Sequence, residues 1–246
     1  MRKLTLLSLT ATAILALSAC NTGGGDTATK GGEGSKPVAP VAGKSWTDTV
    51  SKTAEGGYAI GNPDAKVKLV EYLAVTCSHC ADFEEQGYTE LLGDFVAKGN
   101  VQLEIRNFLL NPFDIPITML TRCADDTAYL ALTQKFYQNQ ATYLTKLQSA
   151  DQAKMQAAMK LPDNQRFYAM AQQMGILEFF KESGISDDQA KSCLSDAESA
   201  KKLIAMTEKA SKELKVNSTP TFFINNTIVE GVNWQQLKVK LKEAGA

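Results

Sequence analysis

Two cysteines separated by two residues, Cys77 and Cys80 with Ser78 and His79 between them, are the part of this sequence best suited to chemistry. A C-x-x-C has several uses, and most of them can be weighed from the sequence. Structural zinc takes four ligands, usually two such pairs or one pair with later histidines. This chain has one histidine, His79, and no second C-x-x-C. Haem attachment requires histidine directly after the second cysteine, where Ala81 stands. A staple across two residues would be strained and easily reduced. Reversible thiol-disulfide exchange is the use that fits, and the same scarcity of imidazole argues against multi-histidine metal sites and Ser-His-Asp catalysis.

Exchange chemistry needs the first sulfur at a helix tip, and the flanking residues supply that setting. Residues 66–74 (KVKLVEYLA) form a short apolar, β-branched run, as in a buried central strand. From Cys77 to Lys98 the spacing becomes helical, with Phe83, Tyr88, Leu91, Leu92 and Phe95 as an apolar stripe. Residues 101–109 (VQLEIRNFL) then alternate as a second strand, returning parallel to the first. Further on, 221–224 (TFFI) and 227–229 make a hairpin about Asn225-Asn226, and a helix over 234–243 follows. The hundred or so residues between are rich in Ala, Gln, Met and Leu at three- and four-residue spacing, which predicts several helices. Pro162 and Gly175 mark breaks, Ser186-x-x-Gln189 caps the helix carrying Cys193, and 195–214 form a longer helix. The expected fold class is α/β, a β-α-β half and a β-β-α half around an all-helical insertion.

The chain has 246 residues, and its 26 Lys and Arg nearly balance 27 Asp and Glu for a formal charge of -1, so nucleic acid is not an expected partner. Arg2 and Lys3 precede an apolar stretch from Leu4 to Leu17 that is too short to span a bilayer, as in a secretory signal peptide. Leu17-Ser18-Ala19-Cys20 resembles the bacterial lipobox, which implies cleavage before Cys20 and a diacylglycerol on its sulfur. An ordinary signal sequence with an incidental cysteine is the alternative. The Gly-, Thr- and Pro-rich segment after Cys20 is a flexible tether; its roughly 25 residues would reach ~25–30 Å as a coil. Lipidation accounts for one of five cysteines. The other four make two pairs by position, Cys77 with Cys80 and Cys123 with Cys193. The expected organisation is a signal peptide over 1–19, a lipidated tether over 20–52, a first half-domain over 53–112, an insertion over 113–200 and a second half over 201–246.

With Glu71-Tyr72 ahead of Cys77-Ser78-His79-Cys80, and Ser218-Thr219-Pro220-Thr221 before a late strand, the sequence from about Tyr58 onward resembles the DsbA-like branch of the thioredoxin superfamily. The resemblance implies a thioredoxin-like fold and a redox-active cysteine pair with no other cofactor. It implies Cys77 as the attacking thiolate, Cys80 as the resolving thiol and His79 as a hydrogen-bond donor or positive charge favouring the thiolate; a solvent-facing loop residue is the other reading of His79. Glu71 becomes a buried proton acceptor for Cys80; a place on an exposed strand face is its other reading. Pro220 becomes a cis-proline facing Cys77, with the Thr219 backbone free to pair with an extended substrate; a trans proline opening a strand is its other reading. Cys123 and Cys193 become a structural disulfide, a regulatory pair being the alternative. Met155, Met159, Met170 and Met174 either line an adaptable substrate surface or pack in the core.

The expected activity is donation of the Cys77-Cys80 disulfide to unfolded or reduced exported proteins, with reoxidation by a DsbB-like, quinone-linked membrane partner. The expected setting is the periplasmic side of a bacterial membrane, the outer one favoured because Asn21 follows Cys20, with the protein a lipid-anchored monomer. Isomerase or reductase activity of the same fold stays open, since Thr219 also precedes the proline in isomerases and Ser78-His79 departs from the Pro-His of the best-known oxidases. So does a non-enzymatic binding or chaperone lipoprotein. Metal delivery through the thiols lacks a metal-ligand spacing.

Overall fold

A computed structural model describes residues 45–229 and 231–246. The signal peptide, Cys20 and most of the tether lie outside the described residues. Six strands form one sheet in the order β1-β2-β4-β3-β5-β6. The strands are β1 (Val50–Lys52), β2 (Tyr58–Gly61), β3 (Val67–Leu73), β4 (Val101–Asn107), β5 (Thr221–Ile224) and β6 (Thr227–Val229). β3 and β4 run parallel at the centre and every other pairing is antiparallel. β1 takes in the last three residues that the sequence reading gave to the tether. Both β1 and β2 went unpredicted, being three and four residues long and without clear alternation.

Central β3 is covered on both faces, which is why its sequence is a nearly continuous apolar run. Val67, Leu69 and Leu73 face a core with Phe83, Leu91 and Trp234, while Val70 and Tyr72 face another with Ala210, Val216 and Phe223. The first core lies under α1 (Ser78–Glu90), which continues as a wider helical turn over Leu91–Val96, and under α9 (Trp234–Glu243). The second lies under α8 (Ala197–Leu214). Asn225 and Asn226 both have positive φ, 48° and 68°, as a two-residue hairpin turn requires.

Six helices make the insertion: α2 (Asp114–Thr121), α3 (Ala128–Gln148), α4 (Gln152–Met159), α5 (Asp163–Met174), α6 (Leu177–Glu182) and α7 (Asp187–Leu194). They enclose a separate core that includes Leu120, Phe136, Phe167, Phe180 and Leu194. Met155, Met170 and Met174 are buried in it and Met159 packs at its edge, so the methionines serve chiefly as core. Gly175 ends α5 in the left-handed region, and Ser186 with Gln189 forms the predicted capping box. Cys123 and Cys193 are joined by a disulfide with their Cα atoms 5.9 Å apart, tying α7 to the turn after α2. No helix among the described residues is long and apolar enough to cross a membrane.

Candidate active site

Parallel strands deliver their C-terminal ends to one edge of the sheet, and the chain leaving β3 there turns through Ala74–Thr76 into α1. Cys77 is the N-cap of that helix, with extended backbone at φ -79° and ψ 117°. Its sulfur therefore occupies the place of an N-cap oxygen and accepts the Cys80 N–H at 3.3 Å. The free N–H groups and positive dipole end of a helix favour an anion there. Hydrogen bonding from the Cys80 thiol, then from Thr219 and the N–H groups of Cys80 and His79, lowers the Cys77 thiol from 9.0 to about 6 against the opposing effect of burial. Cys77 is 7% exposed and Cys80 is deeper; both are free thiols. Burial, followed by the hydrogen bond and negative charge of Cys77, pushes Cys80 well above 9.0. Above about pH 6 the Cys77 sulfur is ionised while its neighbour stays protonated.

The Thr219-Pro220 peptide is cis, and the Thr219 carbonyl accepts from the protonated Cys77 sulfur at 3.2 Å. Thr219 Oγ1 is buried without a hydrogen-bond partner, so its hydroxyl is free to donate once the sulfur ionises. Glu71 lies in β3, 1% exposed, and accepts a short hydrogen bond from the Tyr88 hydroxyl of α1. Burial raises its carboxyl from 4.5 to about 7, against the Tyr88 hydrogen bond. The exposed-face alternative for Glu71 is thereby excluded. His79 takes the solvent-facing reading. Its side chain is 82% exposed with Nδ1 3.7 Å from Asp82, and the stabilisation it gives Cys77 comes from its backbone N–H. The reason is geometric: a residue in the first helical turn points its amide at the N-cap and its side chain outward.

Polar residues of the insertion that sequence reasoning missed hold the segment leading into Cys77. Gln140 of α3 donates its Nε2 to the carbonyls of both Val75 (2.9 Å) and Cys77 (3.0 Å), and the Tyr137 hydroxyl donates to Ala74 O at 3.0 Å. Asp114, fully buried at the start of α2, accepts the Thr76 N–H at 2.9 Å and the N–H groups of Leu110 and Asn111. Asn111 donates to the Thr76 hydroxyl at 2.8 Å. Three consecutive residues, Val75 to Cys77, are thus fixed from outside the thioredoxin-like half. For Asp114 a signal existed, an acid in the first turn after Asn111-Pro112; for Gln140, one amide among many on a long helix, none did.

The family model described as Thioredoxin matches residues 53–243. Relatives carrying the name protein-disulfide oxidoreductase include one from Rickettsia bellii (strain RML369-C), 25% identical over 193 residues, 78% of this chain and 66% of that one. Another, from Rickettsia conorii (strain ATCC VR-613 / Malish 7), is 26% identical over 174 residues, 71% and 55% of the two chains. The chain therefore spans less than two thirds of the length of these relatives. Among solved structures, a protein-disulfide isomerase from Novosphingobium aromaticivorans matches with a TM-score of 0.74 and 29% identity, over 78% of this chain and 99% of that one. Wolbachia pipientis alpha-DsbA1 matches with a TM-score of 0.62 and 16% identity over 77% and 90%, a likeness of fold.

Proposed function

This chain belongs to the thioredoxin family, and from that premise we propose that it is a thiol-disulfide oxidoreductase that donates its Cys77-Cys80 disulfide to reduced exported proteins. The observation that carries the reading is the Cys77 sulfur at the N-cap of α1, ionising at about 6 beside a protonated Cys80. In the oxidised form a client thiolate attacks Cys77 Sγ, a mixed disulfide forms, and Cys80 leaves with the electron pair of the broken S–S bond. Cys80 then takes a proton, for which Glu71, ionising at about 7, is the nearby donor. The second client thiolate attacks the client sulfur of the mixed disulfide, and Cys77 departs as a thiolate. Two electrons have moved from client to protein. The cysteine pair carries all of this chemistry and no further cofactor is involved.

Direction follows from the leaving group. A thiol ionising at about 6 rather than 9.0 stabilises the dithiol form at pH 7 by ~1.4 kcal/mol, or ~30 mV for two electrons. That favours giving the disulfide away. Equilibrating the pair with glutathione tests this: an oxidising potential is expected, and one as low as thioredoxin's, about -270 mV, would leave a reductase. Likeness to the Novosphingobium isomerase favours isomerisation as the second reading. Rapid recovery of scrambled ribonuclease by the reduced chain would select it.

Clients in this reading are unfolded chains whose backbone pairs with Thr219, and a DsbB-like membrane partner restores the disulfide. Leu17-Ser18-Ala19-Cys20 supports anchoring by a lipid on Cys20 at the periplasmic side of a bacterial membrane. Mass spectrometry of the mature N-terminus tests the anchor, and a Cys20→Ala chain is expected in the soluble fraction.

A further inference from the structure

The carboxyl of Glu71 is surrounded by groups that offer it no positive charge. Across the sheet its neighbours are Ile105 of β4 and Phe222 of β5, both apolar. The titratable groups that act on it from α1 are Cys77, Cys80, Glu84 and Tyr88, and from α3 the phenol of Tyr137. Glu84 is bonded to Gln134, and the Tyr137 hydroxyl is spent on the Ala74 carbonyl. Among the described residues no lysine or arginine pairs with Glu71, and its one donor is the Tyr88 hydroxyl.

Tyr88 stands eight residues after Cys80 in α1, two turns further on and on the same face. Helical side chains lean toward the N-terminus, so its ring reaches back along the helix toward Cys80 and the carboxyl. The ring is 3% exposed and packs edge-on to Phe83 with centroids 6.1 Å apart. Phenylalanine would satisfy that packing, so the hydroxyl answers to the carboxylate. Burial and the Glu71 charge push the phenol well above 10.0, which keeps it a donor only.

We propose that Tyr88 is a positioning residue for disulfide exchange: its hydroxyl holds and stabilises the Glu71 carboxylate left when that group passes its proton to Cys80. This rests on the oxidoreductase reading and deepens its proton step. When a client thiolate attacks Cys77 Sγ, Cys80 leaves with the electron pair, takes the Glu71 proton, and the Tyr88 O–H donates to the carboxylate that remains. On reoxidation Cys77 attacks the membrane partner's disulfide, Cys80 returns its proton to Glu71 and closes the bond to Cys77, and the partner leaves as a dithiol. The proton is thus kept between two groups that are each 1% exposed.

The full chain with its Cys77-Cys80 disulfide formed is titrated by infrared spectroscopy, the Glu71 carboxyl band being identified by its loss in Glu71→Gln. Tyr88→Phe should raise the midpoint from about 7 by about one pH unit or more, the worth of a hydrogen bond to a charged group. In single-turnover oxidation of a dithiol peptide, the fall in rate at alkaline pH should move up by the same amount, and the rate at pH 6 should drop severalfold because a weaker acid donates more slowly. Adding Tyr88→Phe to Glu71→Gln should change neither. In the natural chain, one tyrosine Cζ resonance should titrate with the carboxyl midpoint and stop doing so in Glu71→Gln. An unmoved midpoint, an unmoved pH profile, equal slowing in the Glu71→Gln background or no titrating Cζ signal overturns the proposal. Failure of the natural chain to oxidise dithiothreitol overturns the oxidoreductase reading itself, and the proposal with it.

Discussion

Replacing Glu71 with glutamine tests the electrostatic core of the site, because the carboxyl is fully enclosed and its one hydrogen-bond donor is the Tyr88 hydroxyl. Burial raises the group from 4.5 to about 7. A carboxyl raised on folding contributes its stability fully below pH 4.5 and loses it as pH climbs through about 7. At ~1.4 kcal/mol per pH unit the complete loss is ~3.5 kcal/mol, of which ~2.5 falls between pH 5 and pH 8. Glutamine keeps the volume and an oxygen for Tyr88 but cannot ionise. Urea unfolding of the oxidised chain, in which neither Cys77 nor Cys80 titrates, should show the natural protein losing ~2.5 kcal/mol more than Glu71→Gln between those two pH values. In the same variant, protonation of Cys80 loses its nearby donor, so turnover of dithiol peptides at pH 7 should fall. Identical pH dependence of stability in the two chains would refute the argument: the carboxyl would then not be held protonated by burial, and its role toward Cys80 would fall with it.

Three further perturbations separate positioning from packing. Gln140→Leu removes both bonds to the Val75 and Cys77 carbonyls, and should move the thiolate absorbance midpoint of Cys77 upward from about 6; a lower melting temperature with an unmoved midpoint would reduce Gln140 to packing. Replacing Cys123 and Cys193 together by serine opens a loop of sequence separation 70, and urea unfolding should lose up to ~4 kcal/mol, whereas unchanged stability would point to a bond formed for another purpose. Gly87→Ala places a Cβ 2.9 Å from the Trp234 ring and should cost ~1–3 kcal/mol by overpacking, visible as a blue-shifted or broadened tryptophan emission and a lower urea midpoint; full stability would mean α9 moves freely on α1.

What the sequence displays depends on whether a residue's role is local. Cys77 and Cys80 were legible because the N-cap sulfur, the helix stripe and the strand before it lie within one stretch, each announced by its own spacing. Thr219-Pro220 and Glu71 were legible through resemblance, since nothing near either residue says which sulfur it will face. Which way the His79 imidazole points was not legible for the converse reason: neighbours in sequence are not neighbours around a helix, and the first turn offers Cys77 its amides while the His79 side chain stands in solvent. Of Gln140, Asp114 and Asn111, only Asp114 left a trace, as an acid in a first helical turn after Asn111-Pro112; Gln140 left none, because a single polar side chain in an amphipathic helix looks like solvent-facing surface until the fold brings a carbonyl to it. Those three residues change how the insertion is understood. Its own core includes Phe136, Phe180 and Leu194, and from that packed base Gln140 and Asp114 reach the backbone of Val75, Thr76 and Cys77. If that grip fixes the geometry in which the Cys77 sulfur collects its N–H groups, the acidity of the thiol is set partly from 63 residues away in sequence, and substitution on the inner face of α3 should alter exchange rates while leaving the C-x-x-C itself untouched.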